Sequence, residues 1–359
     1  FSSRRRHTRL LTQSRGLGDV YKRQIPGLLA AGYGLEYVGS ATGIERRLIE
    51  AANLPYHAIA AGKLRRYFDW QNFTDVFKVL WGFLQSLLLI LRVRPDLLFS
   101  KGGFVATPVV WAAWLMRIPV IIHESDITPG LANKLSLPFA RKICHSFPET
   151  AASLPAEKAV LTGIPVREEL LHGDGDKARA WLQFAEDKPL LLVVGGSLGS
   201  QVINNTVRSA LEDLLQTFNV VHICGAGNIE NTLVSFDGYR QYEYLNEQLR
   251  HLFAVTDVVV SRAGATMLFE LLALNKPNLL IPLSRKASRG DQILNAASFE
   301  QQGYSLVLAE EQLNPKVLVQ QVGQLFEHRH QYISAMSENA EGRSAHLVLE
   351  LIQSQLKAK

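Results

Sequence analysis

Between residues 190 and 205 the chain reads LLLVVGGSLGSQVINN, an apolar run that stops at Gly195, Gly196, Ser197, Leu198 and Gly199 before a helical pattern begins. Glycines at a strand-to-helix turn let the backbone approach an anion. The amides of a helix N-terminus point at that anion, and the Ser197 hydroxyl can donate to the same oxygens, so the turn is a candidate diphosphate site. The alternative is a Gly-rich turn that serves packing alone. Neither GGSLGS nor GAGNIE (225–230) has the three glycines of a dinucleotide fingerprint, and no Gly-Lys-Ser/Thr follows to make a Walker loop. Further on, VVVSRAGATMLFELL (258–272) puts Arg262, Gly264 and Ala265 at a second strand-to-helix turn, with Glu270 in the helix. A carboxylate there can accept two hydrogen bonds from a ribose diol, or it can be ordinary solvated surface. In SRGDQILNA (288–296), Asp291, Gln292 and Asn295 enter a helix with groups able to read sugar hydroxyls.

The first half has its own candidates. Gly102 and Gly103 in FSKGGFVATP end a strand and open an apolar helix, either as a tight turn or as a second ligand loop. In IIHESDITPGLANK (121–134), His123, Glu124 and Asp126 leave an apolar strand together, where they could act as a general base or bind hydroxyls. The paired-histidine spacing of a zinc site is absent there, so no metal is expected. The segment 65–92 combines Trp70, Phe73, Phe77, Trp81 and Phe83 with Arg65, Arg66 and Lys78. That mixture suits attachment to an anionic membrane surface, although much of Leu84 to Ile90 could instead pack on a sheet.

These groups need a scaffold that ends several strands at one edge. From Ile25 onward, short Val/Ile/Leu-rich runs alternate with stretches of helical periodicity, as in a parallel sheet covered on both faces. Strand candidates fall near residues 35, 55, 95, 119, 142 and 158, and again near 189, 219, 257, 277 and 304. The fold class is therefore α/β, with two similar doubly wound domains and residues 162–176 crossing between them. Ligands of such sheets bind beyond the carboxyl ends of the strands, where the loops above fall, so a cleft faced by both domains is the expected site. A length of 359 residues suits two cores better than one.

The net charge of +5 is concentrated at one end: residues 1–24 hold seven basic residues against Asp19, leaving about −1 for the rest. A near-neutral body lacks the phosphate-neutralising surface that nucleic acid requires, so no nucleic-acid partner is expected. Residues 1–24 have no sustained periodicity and no signal-peptide core. They read as a foreign stretch or a disordered basic arm, so the leading strand of the first domain and its Gly-rich turn are expected to be missing or replaced. The most apolar stretch, Leu80 to Leu91, has 12 residues, against the roughly 20 needed to span a bilayer. Cys144 and Cys224 sit inside apolar runs and behave as small hydrophobes, which fits a reducing cytoplasm.

Six runs, KGGFVATP, HESDITPGLANK, TGIPVR, GGSLGSQVIN, SRAGATMLFE and SRGDQILNAASFEQQGY, resemble in order and spacing the MurG glycosyltransferases, particularly the form found in Gram-positive bacteria. The resemblance covers roughly residues 25–355 and implies a GT-B fold. Residues 25–163 would form an acceptor and membrane domain, 164–340 a UDP-sugar donor domain, and 341–359 a helix packing back toward the first domain. It implies inverting transfer, with neither metal nor other cofactor, of N-acetylglucosamine from UDP-N-acetylglucosamine to the C4 hydroxyl of undecaprenyl-diphospho-N-acetylmuramoyl-pentapeptide. That lipid acceptor would be met at the cytoplasmic face of the cell membrane, by a peripheral enzyme of peptidoglycan synthesis.

On the donor side the resemblance implies Gly196 and Ser197 for the diphosphate, Tyr244 and Leu245 around uracil, and Glu270 for ribose. Asp291 and Gln292 would meet the sugar, with Arg167 and Thr266 as further contacts. Gly102, Gly103 and Phe104 would bind acceptor, His123 or Asp126 would act as base, and Trp70, Phe73, Phe77 and Trp81 would meet the membrane. Asp126 and Asp291 stand where the Gram-negative form has Asn and Gln. Three other readings share the fold: another lipid glycosyltransferase, a UDP-N-acetylglucosamine 2-epimerase, and a donor-binding protein that lost transfer with its first loop.

Overall fold

The computed structural model describes residues 9–13, 25–42, 44–62, 71–196, 199–233, 236–285, 288, 290–338 and 344–357. The chain divides into two compact units, Phe1–Pro165 with Arg343–Lys359, and Val166–Gly342.

The first unit runs β1 (Arg9–Gln13), α1 (Ile25–Ala30), β2 (Gly34–Gly39), α2 (Ile44–Ala51), β3 (Tyr56–Ala58) and the long α3 (Gln71–Val93). It continues through β4 (Leu97–Ser100), α4 (Ala106–Leu115), β5 (Val120–Glu124), α5 (Leu131–Ser136), β6 (Lys142–His145) and β7 (Ala159–Leu161). The strands form one parallel sheet in the order β3-β2-β1-β4-β5-β6-β7. Strand side chains alternate between two cores. Leu98, Ile122 and Ile143 pack with α3 and α4, whereas Leu97, Phe99 and Ile121 pack with α1 and α2.

The central strand corrects the sequence-based expectation. RLLTQ, inside the segment read as foreign or disordered, forms β1 and pairs in parallel with β2 (Leu10 beside Leu35) and with β4 (Leu10 beside Leu97). Strand pairing is made by backbone groups, and an empty slot would leave unpaired N–H and C=O groups on both neighbours. A short extended segment of modest apolarity therefore fills a position for which composition offered no candidate. Residues 14–24, where the expected loop after this strand would fall, lie outside the described residues.

The second unit runs α6 (Gly175–Leu182), β8 (Leu190–Val194), α7 (Gln201–Ser209), α8 (Leu211–Thr217), β9 (Asn219–Ile223), β10 (Tyr239–Tyr242) and α9 (Gln248–Val255). It continues with β11 (Val258–Ser261), α10 (Ala265–Ala273), β12 (Asn278–Leu280), α11 (Asp291–Gln301), β13 (Leu306–Val307), α12 (Pro315–Glu327) and α13 (Arg329–Ser337). The parallel order is β10-β9-β8-β11-β12-β13. One core joins Leu191, Val193, Val258 and Val260 to α7, α8 and α12, and the other joins Leu190, Leu192, Val221 and Val259 to α6 and α9. The edge strand β10, YRQY, was not anticipated because its side chains are mostly polar and only Tyr239 is buried. The last helix, α14 (Ser344–Lys357), returns to the first unit, where Val348 and Ile352 join the core of Ile25, Leu28 and Tyr37.

A proline at Leu11 removes a backbone donor from the middle of the first sheet and is expected to destabilise the first unit by about 3 kcal/mol or more. Calorimetric unfolding of Leu11→Pro should show a lowered first-unit transition beside an unchanged second one. An unshifted transition would mean that Arg9–Gln13 does not hold the sheet.

Candidate active site

Register aligns the strand ends of the second sheet. Val194 lies beside both Ile223 and Ser261, and Ser261 lies beside Leu280. The loops that follow β8, β9, β11 and β12 thus open on one edge, and the strand order reverses between β8 and β11, where doubly wound sheets form their ligand crevice. The loop after β8 is built for close backbone approach. Gly199 has φ +74°, and a Cβ there would lie 2.1 Å from the Cys224 carbonyl oxygen, so no other residue fits. Ser200 caps α7: its Oγ accepts from the Ile203 amide at 3.4 Å. The positive end of the α7 dipole therefore faces the loop, and around Gly196, at φ +93°, nothing lies within 4 Å of the Cβ position. Ser197 lies outside the described residues.

Arg262, the first residue after β11, organises this edge. It is buried, donates through Nη2 to Ser200 Oγ at 2.6 Å and through Nη1 to the Ile281 carbonyl at 3.1 Å, and pairs with Glu310. One guanidinium thus ties together the loops after β8, β11, β12 and β13. Glu270 is not the solvated surface residue that a lone helical carboxylate could have been. It is 1% exposed, and Arg167 Nε donates to its Oε1 at 2.7 Å. Two donor candidates 103 residues apart in sequence are therefore one ion pair. Thr266 lies in the first turn of α10, part-exposed. Gln292, in the first turn of α11, accepts from the Leu283 amide through Oε1 at 3.1 Å and so fixes the loop after β12, with Asp291 part-exposed beside it. Asn295 is fully buried and donates to the Ala263 carbonyl at 3.3 Å. Tyr244 is half exposed two residues past β10, and Leu245 packs onto the core beneath.

Beneath the glycine loop lies a polar network that the sequence reading did not single out. Asn204 donates through Nδ2 to the Cys224 carbonyl at 2.9 Å, and its Oδ1 lies 2.9 Å from His222 Nε2. His222 Nδ1 lies 2.8 Å from the Tyr239 hydroxyl. The available signal was a histidine between apolar Val220–Val221 and Ile223 in the strand NVVHI.

In the first unit, Gly102 and Gly103 follow β4 with φ +83° and +95°. A Cβ on Gly102 would lie 2.5 Å from Asn133 Oδ1. Phe104 is part-exposed beside them. Glu124 is buried, and its carboxylate accepts from Asn133 Nδ2 at 2.6 Å and from the Asp126 and Gly130 amides, which shapes the 125–130 loop. Burial raises its pKa despite those donors. Asp126 is part-exposed on this loop. His123, read as a candidate base, is instead fully buried and donates Nε2–H to the Gly163 carbonyl at 2.9 Å. Its ring reaches no solvent, and burial pushes its pKa down to about 3. Among the described residues, no group of three or more His, Cys, Asp or Glu side chains is placed to hold a metal. On α3, Phe77 and Trp81 are exposed, whereas Trp70 and the side chain of Phe73 lie outside the described residues.

Two doubly wound parallel sheets, one carrying a glycine-rich loop and a buried carboxylate at its carboxyl edge, make up the GT-B architecture. Family models for the glycosyltransferase family 28 N-terminal and C-terminal domains match residues 24–145 and 190–351. The UDP-N-acetylglucosamine–N-acetylmuramyl-(pentapeptide) pyrophosphoryl-undecaprenol N-acetylglucosamine transferase of Clostridium kluyveri is 53% identical over 92% of this chain and 93% of its own. Among solved structures, MurG of Acinetobacter baumannii superposes with a TM-score of 0.78 at 23% identity, over 97% of this chain and 99% of that one. A UDP-GlcNAc 2-epimerase from Neisseria meningitidis shares the fold at a TM-score of 0.66 and 13% identity, over 97% and 100%. The chain belongs to the MurG family of glycosyltransferase family 28.

The two buried histidines set a pH dependence. Burial holds His123 and His222 neutral down to about pH 3, whereas in an unfolded chain they protonate near 6.5. Unfolding therefore takes up protons below that value. The stability these groups confer is fully present above about pH 6.5 and is lost as pH falls toward 3, by about 2 kcal/mol per histidine at pH 5. Urea unfolding at pH 7 and pH 5 should show this loss in the wild type and a flatter profile in a His123→Gln, His222→Gln variant. Equal pH slopes would contradict it.

Proposed function

We propose that the chain transfers N-acetylglucosamine from UDP-N-acetylglucosamine to the C4 hydroxyl of the muramoyl sugar of undecaprenyl-diphospho-N-acetylmuramoyl-pentapeptide, a step of peptidoglycan synthesis. The observation that carries this reading is the 53% identity, over 92% of the chain, to a relative named for this transfer. The epimerase likeness, at 13% identity, extends to the fold alone. Diphosphate would sit at the loop after β8, with Gly196, Ser197 and the α7 N-terminus stabilising the charge that develops on the UDP leaving group. Glu270, oriented by Arg167, would accept from the ribose hydroxyls. Tyr244 and Leu245 would flank uracil, Asp291 and Gln292 would read the sugar, and Thr266 would line the same edge.

The acceptor hydroxyl attacks the anomeric carbon in a single displacement, and UDP departs as the new bond forms, which inverts the anomeric configuration. Gly102, Gly103 and Phe104 would bind acceptor. With His123 enclosed and committed to Gly163, Asp126 is the base candidate carried forward. The acceptor is a membrane lipid, and no described helix is long and apolar enough to cross a bilayer. A surface for meeting one is present in α3, where Phe77, Trp81, Leu84, Leu88 and Leu91 recur at helical spacing, each at least half exposed. Phe83, Leu87 and Ile90 on the opposite side pack onto the sheet, so the helix divides its apolar residues between core and exterior. This exposed apolar face supports the reading that the chain attaches to an anionic membrane surface, peripheral on the cytoplasmic side.

Isothermal titration should show UDP-N-acetylglucosamine binding in the presence of EDTA, weakened about tenfold or more by Glu270→Ala, which also removes the carboxylate to which Arg167 Nε donates. Undiminished binding by Glu270→Ala would remove the ribose assignment, and no binding by folded wild type would remove the donor site. Trp81→Glu with Leu88→Glu should abolish sedimentation with vesicles of anionic lipid while leaving UDP-N-acetylglucosamine affinity intact. Full sedimentation would exclude α3 as the membrane face.

A further inference from the structure

Four polar groups lie end to end under the glycine loop, and their hydrogen-bond directions follow from chemistry. Asn204 spends its amide nitrogen on the Cys224 carbonyl at 2.9 Å, so its Oδ1 can only accept. His222 Nε2, 2.9 Å from that oxygen, must then carry the ring proton. Nδ1 is left as the acceptor for the Tyr239 hydroxyl at 2.8 Å. His222 and Asn204 are both 0% exposed and Tyr239 is 1% exposed. With the ring neutral, both nitrogens are satisfied and only one tautomer is compatible with both neighbours. The chain of donors ends on the same carbonyl oxygen against which Gly199 rests with no room for a Cβ. Asn204 also lies one turn into α7, the helix whose N-terminus faces the loop.

We propose that His222 is a positioning residue for the sugar-nucleotide diphosphate: through Asn204 it fixes the Cys224 carbonyl, and so sets Gly199 and the N-terminus of α7 where they receive the anion. Without the Nε2 donor, Asn204 Oδ1 is an unpaired buried acceptor, and its amide is free to turn away from Cys224. Gly199, packed on that carbonyl, then loses its floor. Preorganised backbone donors bind an anion well only if they are already in place, so the loss appears in donor affinity. The proposal rests on the reading that this loop holds the diphosphate of the donor.

The test uses the full-length protein and three variants. His222→Phe removes the donor at similar volume, His222→Gln restores an N–H directed at Asn204, and Tyr239→Phe removes only the distal hydroxyl. Titration with UDP-N-acetylglucosamine, UDP and uridine, beside thermal unfolding and KM values for both substrates, separates positioning from general destabilisation. His222→Phe should weaken UDP-N-acetylglucosamine and UDP about tenfold, the size of one buried hydrogen bond. Uridine affinity and acceptor KM should stay within about twofold, and His222→Gln should recover most of the loss. Tyr239→Phe, which leaves the Nε2 donor in place, should cost less than His222→Phe. If His222→Phe lowers the unfolding midpoint yet binds UDP like wild type, His222 serves the core alone and the proposal fails. If uridine and UDP weaken together, or His222→Gln does not rescue, it also fails. Wild type that is folded but does not bind UDP would overturn the donor-site reading itself, a result distinct from either.

Discussion

In-register parallel pairing is the constraint on which the site depends. Because β8, β9, β11 and β12 end level with one another, backbone hydrogen bonds deliver four loops to one edge before any side chain is chosen. What remains is to hold those loops in one shape. Arg262 does so from one direction, reaching Ser200, Ile281 and Glu310. Asn204, His222 and Tyr239 do so from below. Each buried polar group costs free energy unless it is satisfied. The concentration of satisfied groups beside the glycine loop therefore favours one rigid arrangement of it.

The first sheet repeats the architecture with a different finish. Glu124, Asn133 and the amides of Asp126 and Gly130 hold one loop, and His123 holds Gly163 near the end of the unit. These are supports for backbone, and Asp126 is the polar side chain among them that stays part-exposed. Long α3 divides its apolar residues between the core and the exterior.

Much of this was legible in the residues. Apolar runs followed by glycine or polar clusters marked eleven of the thirteen strands among the described residues, and the loop motifs marked the carboxyl edge of the second sheet, because burial and turn chemistry leave local signatures. The two missed strands show the limit. β10 is an edge strand with mostly polar side chains, and β1 is secured by hydrogen bonds from both neighbours, so neither needs an apolar run. Partnerships between distant residues were equally invisible. Nothing local pairs Arg167 with Glu270, 103 residues away, and nothing in IIHES distinguishes a buried His123 from an accessible base. His222 was visible only as an odd residue in an apolar strand, without the Asn204 that gives it a purpose.

The most direct measurement is the linkage formed when the purified chain is given UDP-N-acetylglucosamine, whose anomeric bond is α, together with the undecaprenyl-linked muramoyl acceptor. Nuclear magnetic resonance of the isolated product should show N-acetylglucosamine joined β to the C4 oxygen of the muramoyl sugar, with one UDP released per bond. An α-linked product would contradict single displacement. Release of N-acetylmannosamine without acceptor, or UDP release with no glycosylated lipid, would contradict the transfer itself.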